Sequence, residues 1–180
     1  MSIKNPRHVM IDLETMSTRP HGAIVSIGAV KFDPRFNMIN RKDTFYIELD
    51  WEDQGRTIDP DTLEWWGKQS AQARSALDGL DDLGSALVVL SKWLPKDVKV
   101  WGNGSTFDIS FLENAYEQLG MKIPWQFWNV RDCRTVLDMY ECKRGGFNKK
   151  VGPGAHNALS DALYQSQYIN KMWTSLVGDK

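Results

Sequence analysis

The sequence predicts a single α/β domain whose mixed β-sheet has about five strands and is covered by helices. Strand-like segments joined by short links come first in the chain, and such links produce antiparallel pairs. Further along, strand-like and helix-like segments alternate, which is typical of parallel βα units. We therefore expect an antiparallel meander followed by parallel strands.

Length and composition favour one ordinary domain. The chain has 180 residues, 42% of them hydrophobic, so we expect a single domain over 1–180. Its apolar runs are short and its first residues do not resemble a signal peptide, which predicts a cytoplasmic protein without membrane contact. The net charge of −1 excludes a strongly basic nucleic-acid coat. Cys133 and Cys142 indicate neither a disulfide framework nor a zinc site.

The first predicted strand lies in the segment HVMIDLETMS, residues 8–17. Val9, Ile11 and Leu13 alternate along one face, whereas Asp12 and Glu14 share the other. Carboxylates two residues apart on a strand can bind a common cation, which would offset the cost of burying them. The alternative is that this face is exposed and the pair is simply solvated.

Two further strands follow with short connections. Residues 23–32 are apolar on both faces, as in a strand that is covered on both sides, and residues 33–37 supply a turn. Residues 44–51 alternate between apolar and polar side chains, which predicts a half-exposed strand near the sheet edge.

Helical signals begin after this meander. Asp59, Pro60 and Gly67 fit the cap, first position and end of a short helix. Residues 81–95 predict a helix with one leucine stripe at Leu83, Leu87, Leu90 and Leu94.

The remaining segments predict βα alternation. A strand at 98–101 precedes the loop GNGSTF and a helix at 108–120, with an apolar face formed by Ile109, Leu112, Tyr116 and Leu119. Another strand is expected at 125–130, followed by helices at 131–141 and from about 157 to 173.

Two later positions carry further candidate functional groups. Asp108 follows the glycine-containing loop at the predicted start of a helix, where an aspartate is also a common cap. His156 and Asp161 can converge if their helix begins after His156, since Asn157 is a good cap. A lone loop histidine is usually a surface residue, but one held beside carboxylates is a candidate base.

Together, the segments IDLET, NGSTFD and HNALSD resemble in order and spacing the three motifs of the DEDDh 3'-5' exonucleases, within the ribonuclease-H-like superfamily. The similarity covers residue 8 to about 170. The segment DPDTLEWW is similar to small stand-alone exoribonucleases of the ribonuclease T type.

The resemblance implies a ribonuclease-H-like fold and a metal-dependent phosphodiester hydrolase. Asp12, Glu14, Asp108 and Asp161 would then hold two Mg²⁺ or Mn²⁺ ions, a choice that agrees with their hard oxygen ligands. His156 would act as the general base, and the products would be nucleoside 5'-monophosphates.

Substrate contacts are expected close to these motifs, from single-stranded 3' ends of nucleic acid. The predicted substrate-binding residues are Thr15, Met16, Asn103, Phe107 and Trp66. Trp65 and Trp66 can equally anchor their short helix to the core. The basic segment KRGGFNKK, residues 143–150, either binds phosphates or is a solvated loop.

Several functional alternatives stay open. The resemblance favours RNA over DNA, but a DNA-directed exonuclease or a ribonuclease-H-type endonuclease would use the same acids. A binding module without catalysis is a further class, which the complete set of four carboxylates argues against. Relatives of the ribonuclease T type are often dimers, and a homodimer is left open.

Overall fold

A computed structural model describes residues 6–144 and 156–178. Its centre is a five-stranded sheet in the order β3-β2-β1-β4-β5. The strands are β1 (His8–Thr15), β2 (Ile24–Asp33), β3 (Met38–Glu48), β4 (Lys99–Gly102) and β5 (Val130–Asp132). β1 pairs antiparallel with β2, and β2 with β3, whereas β4 runs parallel to both β1 and β5. The expected antiparallel meander and parallel addition are confirmed.

Helices flank this sheet. They are α1 (Pro60–Gly67), α2 (Ala71–Arg74), α3 (Leu83–Trp93), α4 (Ser105–Gln118), α5 (Cys133–Arg144) and α6 (Ala158–Val177). Short 3₁₀ turns occupy Pro34–Phe36, Glu52–Gln54, Ser75–Asp78 and Phe127–Asn129. The side chain of Asp59 caps α1 and that of Asn157 caps α6, as their sequence positions predict.

The strand β1 is covered on both faces. Val9 and Ile11 pack in one apolar cluster with residues of α3 and α4, and Met10 packs in another with residues of α5 and α6. The alternative that the face of Asp12 and Glu14 is open to solvent is therefore wrong, and Glu14 is only 8% exposed.

Two strand boundaries differ from the sequence predictions. β3 begins at Met38 rather than at residue 44, because the polar residues at 40–42 continue the edge strand without apolar alternation. The strand predicted at 125–130 is instead a 3₁₀ turn followed by β5. Phe127 and Trp128 suggested a strand by residue type but are 80% and 61% exposed.

Helix boundaries also shift. α4 begins at Ser105, so Asp108 lies inside its first turn and Gly104 takes the cap position. Leu119 follows the end of α4 and is 43% exposed, so it does not extend the apolar face. Arg131 pairs with Trp101 in the sheet, which delays the start of α5 to Cys133.

Three further sequence predictions concern membrane-spanning helices, the cysteines and the basic segment. None of the helices in the described part of the chain is long and apolar enough to span a membrane. Cys133 is buried, Cys142 is exposed, and both are free thiols. Of the basic segment 143–150, only the last two residues of α5 belong to the described ranges, and the rest lies outside them.

Candidate active site

The carboxylates of Asp12, Glu14 and Asp161 converge at the carboxyl end of β1. One oxygen from each lies within 4.8 Å of the others, although Asp161 belongs to α6 near the other end of the chain. β1 supplies the first two because alternate residues of a strand point to the same face. This spacing suits shared coordination of a cation.

Gly28 allows α6 to reach this position. It pairs with Asp12 in the sheet, and a Cβ atom at Gly28 would lie 2.1 Å from the carbonyl carbon of Ala158. The first turn of α6 therefore packs against the backbone of Gly28 with no side chain between them, which places Asp161 beside β1.

Asp108 joins the group from the first turn of α4 and is 3% exposed. Its Oδ1 accepts a hydrogen bond from the backbone N–H of Leu13 at 3.2 Å, and its Oδ2 accepts one from Asn103 N–H at 3.2 Å. A Cβ at Gly102 would lie 2.9 Å from the Asp108 Oδ2. The glycine thus makes room for this carboxylate, and the two N–H groups fix its orientation.

The pKa values of the clustered carboxyl groups are raised, chiefly because the groups are buried. Burial raises the pKa of Glu14 to about 8, and the charges of Asp161 and Asp108 add to the shift. Burial raises the pKa of Asp108 to about 7 despite its two backbone hydrogen bonds. The pKa of Asp12 is also raised, by burial and then by Asp108 and Glu14. A bound cation would reverse these shifts.

Gln165 is a site residue that the sequence did not single out. Its Nε2 donates a 2.6 Å hydrogen bond to Oδ1 of Asp12, and the side chain is 5% exposed. It lies one helical turn after Asp161, so the i, i+4 spacing on α6 was the available signal. The amide holds Asp12 in place and leaves its second oxygen for another ligand.

His156 lies just before Asn157, the cap of α6, so the helix begins after the histidine as the sequence predicts. Its φ angle is 66°, a left-handed conformation that is unfavourable for a residue with a side chain. Its N–H donates to Oδ2 of Asp161 at 3.1 Å, and its ring lies 4.9 Å from the Trp65 ring in an edge-to-face contact. The neighbouring Asn157 accepts from Ser160 N–H while its Nδ2 donates to the Tyr46 hydroxyl. These contacts hold the histidine beside the carboxylates.

A pocket of about 550 Å³ adjoins the carboxylates. The residues that line it come from the end of β1, the loop that follows, α1 and the first turn of α4, and they are Leu13, Glu14, Thr15, Ser17, Thr18, Asp59, Asp61, Thr62, Trp65 and Phe107. Its volume suits a nucleoside. Thr15 and Phe107, two of the predicted substrate-binding residues, are part of this lining.

Three predicted substrate contacts have other surroundings. Met16 is fully buried and packs with Trp66, which is 1% exposed, so neither side chain lines the pocket. Trp66 Nε1 instead donates to the carbonyl oxygen of Thr15 at 3.0 Å and supports the pocket from below. Asn103 Oδ1 accepts from the Tyr168 hydroxyl, and its backbone orients Asp108.

Comparison with known proteins identifies a sequence relative from a virus. The chain is 26% identical over 191 residues to the exodeoxyribonuclease of Enterobacteria phage T4, covering 84% of this chain and 82% of the relative.

Solved nuclease structures share the fold. The chain is similar to cell-death related nuclease 4 (CRN-4), with a TM-score of 0.69 and 12% identity over 93% of this chain. It spans only 64% of that structure. The nuclease domain of 3'hExo, a DEDDh family member bound to rAMP, matches with a TM-score of 0.61 and 16% identity, over 97% of this chain and 95% of that one. Pop2p of S. pombe, in an Mg²⁺- and Mn²⁺-bound form, matches with a TM-score of 0.58 and 15% identity, over 94% and 83%.

These structures confirm the predicted ribonuclease-H-like fold of the DEDDh exonucleases. The 3'-5' exoribonuclease Rv2179c-like domain matches residues 7–173, which is nearly the whole chain. The protein therefore belongs to the Rv2179c-like family of 3'-5' exonucleases.

Proposed function

We propose that this protein is a divalent-metal-dependent 3'-5' exonuclease that releases nucleoside 5'-monophosphates from single-stranded 3' ends, with RNA preferred over DNA. The observation that carries the proposal is the convergence of Asp12, Glu14 and Asp161 within 4.8 Å, next to Asp108 and a nucleoside-sized pocket. A hydrolase for one terminal nucleotide needs both features side by side.

The donor set fits Mg²⁺ or Mn²⁺. Asp12, Glu14, Asp108 and Asp161 supply hard oxygen ligands without a thiolate, and their mutual repulsion favours a divalent cation. The fold relative Pop2p is described as bound to both ions. Two bound ions would supply Lewis-acid stabilisation of the charge that develops on the scissile phosphate.

The side chains of the protein provide orientation and proton transfer. The pocket accepts the terminal nucleoside, with the Phe107 ring and the Thr15 segment against it. A ring nitrogen of His156 accepts the proton of the water that attacks the phosphorus. The bond from phosphorus to the 3' oxygen of the preceding nucleotide then breaks, and that oxygen takes a proton from solvent to become the 3' hydroxyl of the shortened strand. The hydrogen bond to Asp161 and the Trp65 ring keep His156 oriented for this step.

RNA is favoured by the family, whose description is that of an exoribonuclease, and by the rAMP bound to 3'hExo. DNA is the second candidate, because the phage relative is an exodeoxyribonuclease. Matched 5'-labelled RNA and DNA strands, with and without a 3' overhang, separate these substrates. Digestion should require Mg²⁺ or Mn²⁺, shorten strands from the 3' end and proceed faster on RNA. Cleavage of a closed single-stranded circle would show an endonuclease instead.

Variants test the assignment of roles. His156→Ala should retain cation binding and lose most turnover, whereas Asp12→Ala should lose both. His21 is an exposed histidine that does not line the pocket, so His21→Ala serves as the control and should keep wild-type activity. Near-normal hydrolysis by either His156→Ala or Asp12→Ala would refute the proposed site.

A further inference from the structure

Arg134 lies beside the carboxylate site in a position that the motifs do not cover. It occupies the first turn of α5, directly after β5, whose last residue Asp132 pairs with Gly102. A Cβ atom at Gly104 would lie 3.3 Å from the Arg134 Cζ atom, so the guanidinium covers the backbone at the start of α4. Asp132 Oδ2 accepts from Ser105 N–H at 2.5 Å and joins the two segments.

Neither the helix dipole nor a salt bridge accounts for the location of this guanidinium. A cation near the N-terminus of a helix faces the positive end of the helix dipole, which is unfavourable. Arg134 is exposed and forms no salt bridge within the described ranges 6–144 and 156–178. Its charge is therefore available to an anion from solution.

The surroundings indicate which anion. Arg134 is not part of the pocket wall, and none of the described residues lining that pocket is basic. It lies instead on the β5 side of Asp108, close enough for its charge to lower the pKa of that carboxyl against the effect of burial. β5 is two strands from β1, or about 10 Å. A strand whose terminal nucleoside fills the pocket can thus cross the carboxylates and continue towards Arg134.

We propose that Arg134 binds the phosphate immediately upstream of the scissile one, and so recognises a polynucleotide rather than an isolated nucleotide ester. This inference rests on the proposed exonuclease function. A guanidinium suits the role because its N–H groups can bind two phosphate oxygens together. The scissile phosphate remains at the carboxylates, and the Arg134 contact holds the leaving strand in register.

Replacing one charged linkage by a neutral methylphosphonate tests the contact. The substrate is a short 5'-labelled strand of the sugar that the enzyme degrades, modified only at the linkage preceding the scissile one. For the wild type, kcat/KM for release of the terminal nucleotide should fall about tenfold or more. Arg134→Ala should be slower by a similar factor on the unmodified strand and show no further loss on the modified one.

Matched controls isolate the position. Arg131→Ala removes an equal charge from the same segment, but its guanidinium is already bonded to the carbonyl oxygens of Trp128 and Val130. It should respond to the methylphosphonate as the wild type does, and Arg134→Lys should lie between the wild type and Arg134→Ala. A methylphosphonate several linkages further upstream should affect all variants equally.

The outcomes separate this inference from the proposed function. If Arg134→Ala hydrolyses the unmodified strand normally, or loses as much as the wild type on the modified one, the inference is wrong while the exonuclease stands. If the wild type degrades no strand from its 3' end, the proposed function fails and this inference fails with it.

Discussion

The backbone of Ala158 packs directly on Gly28, with the carbonyl carbon 2.1 Å from the place where a Cβ would stand. Gly28 is also the sheet partner of Asp12. One contact between β2 and α6 therefore determines how closely His156 and Asp161 approach the carboxylates of β1. A glycine is required here by space, not by backbone conformation.

Gly28→Ala should consequently damage both the fold and the site. The added methyl group must push α6 from the sheet, which we expect to lower the free energy of unfolding by about 1–3 kcal/mol or more. Activity should fall more than 10-fold, because Asp161 moves away from Asp12. Urea unfolding and nuclease assays measure the two effects.

Gly67→Ala is the matched control, because nothing lies within 4 Å of a Cβ at that position. This substitution should leave stability within about 0.5 kcal/mol and activity unchanged. A Gly28→Ala protein as stable and active as the control would contradict the packing argument.

Gln165→Ala should weaken binding of the divalent cation. The amide donates to Oδ1 of Asp12, and loss of such an outer hydrogen bond typically lowers metal affinity about 10- to 100-fold. The Mg²⁺ concentration for half-maximal activity should rise, while activity at saturating Mg²⁺ recovers in part. Calorimetric titration with Mn²⁺ measures the affinity directly.

Asn170 offers the comparison on the same helix. It is 1% exposed, and its Nδ2 donates to the Met38 carbonyl oxygen rather than to a carboxylate. Asn170→Ala should destabilise the protein without changing its Mg²⁺ requirement. An equal Mg²⁺ requirement in Gln165→Ala would show that the contact with Asp12 is dispensable.

The carboxylates predict that stabilisation by Mg²⁺ depends on pH. Folding raises the pKa of Glu14 from 4.5 to about 8 and that of Asp108 from 3.8 to about 7. Without a divalent ion, the stability that accompanies proton uptake is present at acid pH and is lost as the pH rises through these folded values. Mg²⁺ should therefore raise Tm more at about pH 8 than at about pH 5. A larger shift at the lower pH would contradict this.

His8 predicts the opposite pH dependence at the other end of β1. Its side chain is 3% exposed, and its Nδ1 accepts a hydrogen bond from Trp101 Nε1 at 2.9 Å. Burial lowers its pKa from 6.5 to about 4. Full stability is thus present above pH 6.5 and is lost as the pH falls towards 4, by up to about 3 kcal/mol.

His8→Gln should flatten this part of the stability profile, because glutamine keeps an acceptor for Trp101 and does not titrate. Urea unfolding at several pH values between 4 and 6.5 measures the slope. The exposed His21 supplies the comparison, and His21→Gln should retain the wild-type slope. Equal slopes in all three proteins would rule out His8 as the titrating group.

Local signals in the sequence were sufficient for several elements. Asp59 and Asn157 cap α1 and α6 where a capping residue precedes a periodic apolar pattern, and each side chain bonds to the backbone of its first turn. Phe127 and Trp128 led to an incorrect strand prediction at 125–130, because aromatic residues are common in strands and these two are instead exposed in a turn.

The geometry of the site was harder to predict from the sequence, because it depends on contacts between distant parts of the chain. Gln165 and Asp12 are separated by 153 residues, and the i, i+4 spacing of Gln165 from Asp161 does not by itself identify Asp12 as its partner. Gly28 lies inside an apolar strand, and nothing in the local sequence indicates that it provides the space in which α6 packs. The grouping of Asp12, Asp108 and Asp161 was predicted from the family resemblance, not from periodicity.

Trp65 lies where the pocket meets His156, and its substitution can distinguish two roles. The ring lines the pocket and makes an edge-to-face contact with His156 at 4.9 Å. Such contacts contribute about 0.5–1.5 kcal/mol, so loss of the ring should lower kcat between about twofold and tenfold by releasing His156. Loss of base stacking alone would instead raise KM.

We expect Trp65→Ala to lower kcat, and Trp65→Phe to recover most of it, because a smaller aromatic ring can still face the imidazole. The decrease should persist on a strand whose 3'-terminal residue lacks a base, since His156 and not the base is the affected partner. Phe127→Ala, which removes an 80% exposed aromatic ring that does not line the pocket, should leave kcat unchanged. If Trp65→Ala changes only KM, and only on strands with a terminal base, Trp65 contacts substrate without positioning His156.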